Sequence, residues 1–270
     1  MIKRKIPAFD LHKICNSGQC FRMKPLGENR YGLTAFGEYL EMEQEGEVIS
    51  FSCTEEEFSR RWEDYFDLYT DYEKMVHAVD QEDIYLTAAV RCGQGMRILR
   101  QELWEVIVSF IISQQNNIPR IRKCVESLCI QFGEEKEDFR GEKYYVFPTA
   151  DVLARKNLED FAICSLGYRA KYIWNTAKMV ADGTVSLSEL AGMEYEAART
   201  ELMKLSGVGI KVAECICLFA LHHVDAFPID THIRDMLTSH YPEGFPFERY
   251  QGYAGVLQQY AFYYELCGAE

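Results

Sequence analysis

The stretch LSGVGIKVA, at residues 205–213, lies between two segments whose apolar residues repeat at helical spacing. Gly207 and Gly209 permit a tight turn that leaves backbone N–H groups exposed. Amides exposed at the start of a helix bind anions, and a DNA phosphate fits such a site. A Gly-x-Gly pair is a weak signal alone, because most such pairs are simple turns. A helix junction that binds no DNA therefore stays open as an alternative at this point.

Lys211 stands where the second helix of this hairpin, about 198–220, begins. The helix macrodipole is positive at that end, so a cation there is unfavourable. Residues that break a local rule tend to lie at functional sites. The same field, together with partial burial, favours the neutral amine that a lysine nucleophile requires. Cys215, four residues further on, is predicted to share the helix face of Lys211.

The segment AFPIDTH follows at residues 226–232, and Asp230 lies nineteen residues after Lys211. Asp230 is placed to cap a helix that begins at Thr231. A capping aspartate near a nucleophilic lysine can also stabilise positive charge on a sugar and assist proton transfer. Capping alone explains this residue equally well.

The pattern of strands and helices divides the chain into two domains. Residues 1–80 have short apolar runs separated by turns, followed by a helix near 54–68 that Thr54 and Glu57 open at capping-box spacing. In residues 81–270 the strand signals vanish, and helical patterns joined by short loops continue. We therefore predict an α+β fold with a small N-terminal antiparallel β domain and an all-α domain that contains the hairpin. The predicted strands cover 31–36, 39–42 and 48–51, and the predicted helices cover 83–90, 103–113, 118–132, 150–154, 171–182, 186–190, 194–205, 211–220, 231–241 and 247–266.

Composition sets limits on the class of protein. The ten cysteines are scattered without C-x-x-C pairs or zinc spacing, which favours buried thiols in a cytosolic chain. We find neither a signal peptide nor an apolar run long enough to span a membrane. A compact chain without targeting tails suggests a prokaryote, with a cytoplasmic, nucleoid-associated function, and we expect a monomer.

The net charge of −13 counts mildly against a nucleic-acid partner, because phosphate contacts need lysine and arginine. The charge is uneven, however. Acidic residues concentrate in 38–47, 54–71 and 133–142, whereas 97–123 and 168–178 are basic or neutral. The balance argues against coating of DNA, but not against a small footprint built on helix N-termini and backbone amides.

Several segments together resemble the 8-oxoguanine DNA glycosylase / AP lyase branch of the helix-hairpin-helix (HhH-GPD) DNA glycosylase superfamily. Residues 205–230 resemble its hairpin and Gly/Pro–Asp motif, and the matching segments span residues 16–262, nearly the whole chain. In that family a β domain precedes an α-helical glycosylase domain, which agrees with the pattern above. The further segments are NSGQCFR (16–22), MRILRQ (96–101), SFIISQQNNIPRI (109–121), LGYRAKY (166–172), 211–218 and 253–262.

The resemblance implies roles for the residues that match. Lys211 resembles the Schiff-base lysine and Asp230 the catalytic aspartate. Gly18 resembles the glycine whose carbonyl accepts the N7 proton of 8-oxoguanine, a proton that guanine lacks. The residues expected around the flipped base are Gln258 at its Watson–Crick edge and Phe262 and Cys215 on its two faces. Without the resemblance, Phe262 and Cys215 are ordinary core residues and Gln258 a surface residue.

The resemblance also implies a DNA-binding loop and an opposite-base site. Gln115, Asn116 and Asn117 correspond to amides that fill the gap left by the flipped base, although they could equally form a helix-capping turn. The family usually has asparagine where Gln115 stands, which makes selectivity for the opposite base less certain. The other residues implied in DNA contact are Arg120, Tyr168 and Arg169, which wedge the duplex and hold the orphan cytosine, and His232 at a phosphate.

We expect no organic cofactor. The hairpin carbonyls could hold a structural cation, but Cys267 stands alone after Cys217, so the iron–sulfur cluster of some relatives is not expected. The predicted partner is double-stranded DNA that contains 8-oxoguanine, opposite cytosine. Two alternatives stay open. One is a glycosylase for alkylated purines that uses Asp230 and water, and the other is a non-catalytic DNA-binding hairpin protein.

Overall fold

The computed structural model describes residues 1–267. Its first part contains an antiparallel sheet of five strands in the order β1-β5-β4-β3-β2. Sheet residues that point inward pack on the helical segment that follows, where Phe58, Trp62 and Phe66 are buried. The strands are β1 (Ile2–Lys5), β2 (Met23–Gly27), β3 (Arg30–Ala35), β4 (Glu38–Glu45) and β5 (Val48–Phe51). The helical elements here are α1 (Leu11–Asn16), α2 (Glu55–Glu57), a π-helical turn (Phe58–Trp62) and α3 (Glu63–Tyr65).

The capping box predicted at Thr54 is confirmed. The Thr54 hydroxyl accepts from the Glu57 amide at 3.2 Å, and the Glu57 carboxylate accepts from the Thr54 amide at 2.8 Å. Reciprocal bonds of this kind satisfy two backbone donors that the first helical turn leaves free. The sheet is therefore followed directly by the helix that covers it.

The second part is helical and carries the predicted hairpin. Its helices are α4 (Tyr72–His77), α5 (Ile84–Gly93), α6 (Leu103–Ser113), α7 (Ile118–Phe132), α8 (Ala150–Ala154), a 3-10 turn (Leu158–Cys164), α9 (Arg169–Ala181), α10 (Leu187–Leu190), α11 (Tyr195–Leu202), α12 (Ile210–Phe219), α13 (Thr231–His240) and α14 (Ala254–Cys267). Helix α6 is buried along most of its length, and α12 packs against it. Helix α14 packs on α5 and α13. This arrangement places the start of α12, the start of α13 and the middle of α14 around one opening.

Two predictions about the helical part were wrong. A short antiparallel pair, β6 (Glu135–Glu137) and β7 (Lys143–Tyr145), interrupts the helices. Three-residue strands that are mostly charged and partly exposed give no apolar alternation, which is why the pattern concealed them. The last predicted helix also began too early. Residues 247–253 form turns before α14, because Pro246 and Gly252 disfavour helix there.

The small β6–β7 hairpin ties the helical part to the N-terminal sheet. Arg140 forms an ion pair with Glu41 of β4, and the Lys136 amine donates to the Gly37 carbonyl at 3.2 Å. No helix in residues 1–267 is long and apolar enough to cross a membrane.

Candidate active site

A cleft of about 830 Å³ opens between the α6–α7 loop, the start of α12, the loop before α13 and the middle of α14. Residues far apart in the sequence therefore meet in one place. The cleft is lined by most of the predicted site residues, namely Gly18, Gln115, Asn116, Asn117, Gly209, Lys211, Cys215, Asp230, His232, Gln258 and Phe262. Arg120, Tyr168, Arg169 and Gly207 do not line it.

Lys211 lies half-buried on the first turn of α12, whose N-cap is Gly209. Its amine lies 5.5 Å from the centroid of the Phe110 ring. No carboxylate among residues 1–267 forms an ion pair with this amine. Lys211 is therefore presented to the cleft without a neutralising partner, as a nucleophile requires.

Cys215 lies one turn beyond Lys211 and is buried. Burial raises the pKa of the Cys215 thiol, and the nearby Lys211 amine offsets only part of that shift. The side chain therefore stays a neutral, polarizable thiol. A surface of this kind suits contact with the face of a base.

Asp230 is the N-cap of α13, as predicted. Its Oδ1 accepts from the Ile233 amide at 2.9 Å, which holds the side chain at the rim of the cleft. The capping hydrogen bond is accepted by Oδ1 of the carboxylate. The cap therefore fixes an acidic group in the cleft that also contains Lys211.

One buried polar atom of the Gln258 side chain lacks a hydrogen-bond partner among residues 1–267. Its side chain is 4% exposed, and Nε2 donates to the Pro228 carbonyl at 3.0 Å. Its Oε1 is buried and finds no partner among residues 1–267. A buried acceptor without a donor is costly, and this oxygen is free to accept a hydrogen bond from a ligand.

Gly18 lines the cleft in a left-handed conformation, with φ of +75°. A Cβ at this position would lie 3.1 Å from Cε1 of Phe262 and 3.3 Å from Cδ1 of Ile118. The backbone conformation favours glycine here, and the space left for a Cβ is tight. Phe262 also packs edge-on against His232, with ring centroids 5.9 Å apart.

The comparisons with known proteins agree with this geometry. Residues 1–107 match the model of the 8-oxoguanine DNA glycosylase N-terminal domain, and residues 108–243 match the HhH-GPD superfamily of base excision DNA repair proteins. The chain belongs to this HhH-GPD superfamily, in its 8-oxoguanine glycosylase branch.

Similar solved structures cover nearly the whole chain. The apo 8-oxoguanine glycosylase/lyase of Clostridium acetobutylicum is 36% identical, with a TM-score of 0.90 over 97% of this chain and 94% of that one. The structure of MBOgg1 with a low-affinity DNA ligand is 35% identical, with a TM-score of 0.92 over 98% and 95%. The N-glycosylase/DNA lyase of Saccharomyces cerevisiae is 40% identical over 151 residues, which are 52% of this chain and 40% of that relative. The chain spans less than two thirds of the length of the first curated relatives that it matches.

In this HhH-GPD protein Arg169 holds the loop of residues 114–117, which we call the amide loop. Arg169 is 5% exposed, and its guanidinium donates to the carbonyls of Gln114 (Nε···O 2.9 Å) and Gln115 (Nη2···O 3.0 Å). The predicted contact of Arg169 with an orphan cytosine would require it to leave these carbonyls. Tyr168 is half-exposed, and its hydroxyl lies 3.5 Å from Oε1 of Gln115. Asn117 caps α7 through the Arg120 amide, so the capping interpretation holds for this residue.

Gln114 links the amide loop to the HhH hairpin, and sequence reasoning missed this role. Its Nε2 donates to the carbonyls of Ile111 at 3.1 Å and Gly207 at 3.0 Å. Gly207 has φ of +79°, and a Cβ there would lie 2.5 Å from the ring of Tyr172.

Among residues 1–267 no group of three or more His, Cys, Asp or Glu side chains could hold a metal ion. A hairpin cation would need backbone carbonyls. That of Gly207 accepts one hydrogen bond, from Gln114, and keeps a second lone pair.

Glu214 is a second residue that the sequence did not reveal. It lies on α12 three residues after Lys211 and is 5% exposed. Its Oε2 accepts from the Tyr195 hydroxyl at 2.5 Å and the Phe227 amide at 3.0 Å, and its Oε1 accepts from Arg199 at 3.1 Å. This buried acid ties α12 to the loop that leads to Asp230.

The ion pairs within residues 1–267 are unevenly placed. Most ion pairs involve the N-terminal sheet, the β6–β7 hairpin and α11. Several exposed cations on α7, α9 and α13 form no ion pair within residues 1–267, namely Arg120, Lys123, Lys171, Lys178 and Arg234. Arg234 also lines the cleft. Other exposed cations without an ion pair lie away from the cleft, for example Lys24 on β2, Lys74 on α4 and Arg91 on α5.

Proposed function

We propose that this chain is a base-excision repair enzyme that flips 8-oxoguanine out of duplex DNA opposite cytosine. It cuts the glycosidic bond and then nicks the strand by β-elimination. The observation that carries the proposal is one cleft that contains the unpaired Lys211 amine, the fixed Asp230 carboxylate and the unsatisfied Gln258 acceptor. A relative from Clostridium acetobutylicum has been solved with DNA that contains cytosine opposite 8-oxoguanine.

The cleft suits an oxidised guanine in three respects. The free Oε1 of Gln258 can accept from the Watson–Crick edge of guanine, which presents N–H groups. The Gly18 carbonyl can accept the N7 proton of 8-oxoguanine, whereas guanine offers only a lone pair there. A site that needs a donor rejects the analogue that lacks it. Cys215 and Phe262 supply the two faces against which the base stacks.

The chemistry follows from the positions of Lys211 and Asp230. The Lys211 amine attacks C1′ of the sugar while the C1′–N9 bond breaks. The bonding electron pair leaves with the base, which takes up the proton that the attacking nitrogen loses. The Asp230 carboxylate stabilises the positive charge on the sugar during this step. The resulting aminal opens to a Schiff base. Loss of a C2′ proton and departure of the 3′ phosphate then complete β-elimination.

The remaining predicted residues are assigned to the DNA. Amides at Gly207 and Gly209 anchor a phosphate, and His232 binds another. Gln115 and Asn116 fill the gap left by the flipped base, together with Asn117, whose Oδ1 also caps α7. Tyr168 wedges the duplex and Arg120 holds the unpaired cytosine. Arg169 joins Arg120 there only when its guanidinium leaves the Gln114 and Gln115 carbonyls. The monomer, the cytoplasmic location and the prokaryotic origin also stay proposals. The free thiols fit a reducing compartment and so support the location alone. Relatives include eukaryotic proteins.

Borohydride trapping on an 8-oxoguanine:cytosine duplex tests the function. We expect a covalent protein–DNA band with the lesion duplex, none with undamaged duplex and none with Lys211→Gln. Lys204→Gln is the matched control, because Lys204 is an exposed lysine of the same hairpin that pairs with Glu201. Base release without a band would instead indicate the mechanism that uses Asp230 and water. If neither a band nor free base appears, the 8-oxoguanine assignment fails.

A further inference from the structure

Gln259, next to Gln258 on α14, has no role in the mechanism above. Its side chain is 2% exposed, and Nε2 donates to the Ser17 carbonyl at 2.7 Å. The two residues are 242 positions apart, and Ser17 is itself fully buried. Helix α14 therefore holds the backbone immediately before Gly18 from inside the protein.

The backbone after Gly18 is held as well. The Gln19 carbonyl accepts from the side chain of Gln101 at 2.8 Å. The Gln19 side chain donates to the Arg97 carbonyl at 2.9 Å and accepts from the Leu99 amide at 2.9 Å. The Gly18 carbonyl, which lies between two bonded carbonyls, accepts no hydrogen bond from residues 1–267. The loop is thus clamped on both sides of one free acceptor.

Helix α14 touches this loop at a second point. Phe262 follows Gln259 by three residues and so lies on the same side of the helix. Its ring lies closest to the position that a Gly18 Cβ would occupy, at 3.1 Å. One helix face therefore sets both the stacking ring and the peptide that precedes Gly18.

We propose that Gln259 is a positioning residue that aims the Gly18 carbonyl at N7 of the flipped base and so sets discrimination between 8-oxoguanine and guanine. The inference rests on the proposed function. Gln259 acts through the Ser17–Gly18 peptide, whose plane the hydrogen bond fixes. Without that bond the peptide is free to rotate about the left-handed Gly18, and the acceptor loses its aim. A displacement of about 1 Å at a recognition group is enough to lower a rate by about 100-fold.

The test compares two activities of the same variant. Gln259→Leu replaces the amide with an apolar group of similar size. Its single-turnover excision from an 8-oxoguanine:cytosine duplex should fall by about 10- to 100-fold. Strand cleavage at a preformed abasic site, which uses Lys211 but has no base to recognise, should stay within about 3-fold of wild type. A residue that merely supports the fold would lower both activities together.

Gln259→Glu adds a readout that a purely structural role does not produce. A carboxylate at this position repels the Ser17 carbonyl, whereas the protonated acid donates to it as the amide does. Excision relative to wild type should therefore recover as the pH falls from 8 to 5.5, with lyase activity at each pH as the reference. Gln44→Leu is the control. Gln44 binds the Leu11 amide and the Phe9 carbonyl in the N-terminal part, away from the cleft. It should leave the ratio of excision to lyase activity unchanged.

The outcomes separate the inference from the function on which it rests. If wild type releases 8-oxoguanine and Gln259→Leu does so at the same rate, the positioning role is refuted alone. The same holds if excision and lyase activity fall equally. If wild type cleaves abasic sites but releases no 8-oxoguanine, the proposed substrate is wrong and the inference falls with it.

Discussion

The carboxylate of Glu214 accepts a hydrogen bond from the backbone amide of Phe227 at 3.0 Å. This bond joins the helix that carries Lys211 to the loop that ends at Asp230. Gln258 holds the same loop from the other side, through the Pro228 carbonyl. The distance between Lys211 and Asp230 is therefore set by the buried side chains of Glu214 and Gln258.

Replacement of Glu214 by glutamine should slow both excision and lyase cleavage by about 10- to 100-fold, because small displacements of catalytic groups have effects of this size. Binding to a duplex with a stable abasic analogue should change by no more than about 3-fold. Glu196→Gln is the control, since Glu196 is an exposed partner of the same Arg199. Wild-type rates in Glu214→Gln, measured under single turnover, would contradict the role.

Gln115→Asn should stabilise the protein. Gln115 has φ of +47°, a left-handed conformation that asparagine adopts more readily than glutamine. We expect the free energy of unfolding to rise by about 0.5 kcal/mol, as measured by chemical denaturation. Gln81→Asn, at a residue without positive φ, should give no gain. An equal gain in both variants would show that the backbone conformation is not the cause.

Arg169→Lys should lower the rate of 8-oxoguanine excision nearly as much as Arg169→Met. A lysine keeps the charge but cannot bridge the Gln114 and Gln115 carbonyls as the planar guanidinium does. We expect excision of 8-oxoguanine opposite cytosine to fall about 10-fold, with a smaller preference over 8-oxoguanine opposite adenine. Arg155→Met, an exposed arginine at the end of α8, controls for loss of charge. Full activity of Arg169→Lys would mean that charge alone matters.

Stability should depend on pH through Glu105. Burial raises its pKa to about 7, while Arg22 opposes the shift. Between about pH 4.5 and 7 the unfolded chain therefore releases this proton while the folded protein retains it, so stability falls as the pH rises through this window. Glu105→Gln cannot titrate and should gain about 2 kcal/mol relative to wild type between pH 4.5 and 8. Glu126→Gln, an exposed acid on α7, should show no such gain in denaturant titrations. A pH-independent difference for Glu105→Gln would contradict the argument.

Local patterns predicted those parts of the fold that local chemistry decides. Helices α6, α7 and α8 begin and end at the predicted residues, and the caps at Thr54 and Asp230 are confirmed. Apolar spacing and cap residues act within one or two turns, so they are legible in a single sequence.

The parts that were missed depend on long-range contacts. The β6–β7 hairpin has too few apolar residues to show alternation. The bonds of Gln114 to Gly207 and of Gln259 to Ser17 join positions 93 and 242 residues apart. No spacing rule connects such residues, and glutamine has no strong preference that would mark them. The roles of Glu214 and Gln259 became visible only when the partners of each buried polar atom were known.

With a net charge of −13, and with Arg234 as an exposed unpaired arginine that lines the cleft, the chain offers intact duplex DNA few positive charges. Only a few phosphates can be neutralised at once, so few counterions are released and affinity for intact duplex stays low and only mildly dependent on salt. Each encounter with undamaged DNA is then brief, and long one-dimensional sliding is disfavoured. We therefore expect repeated short visits from solution to be the main mode of search, with longer residence where a base enters the cleft.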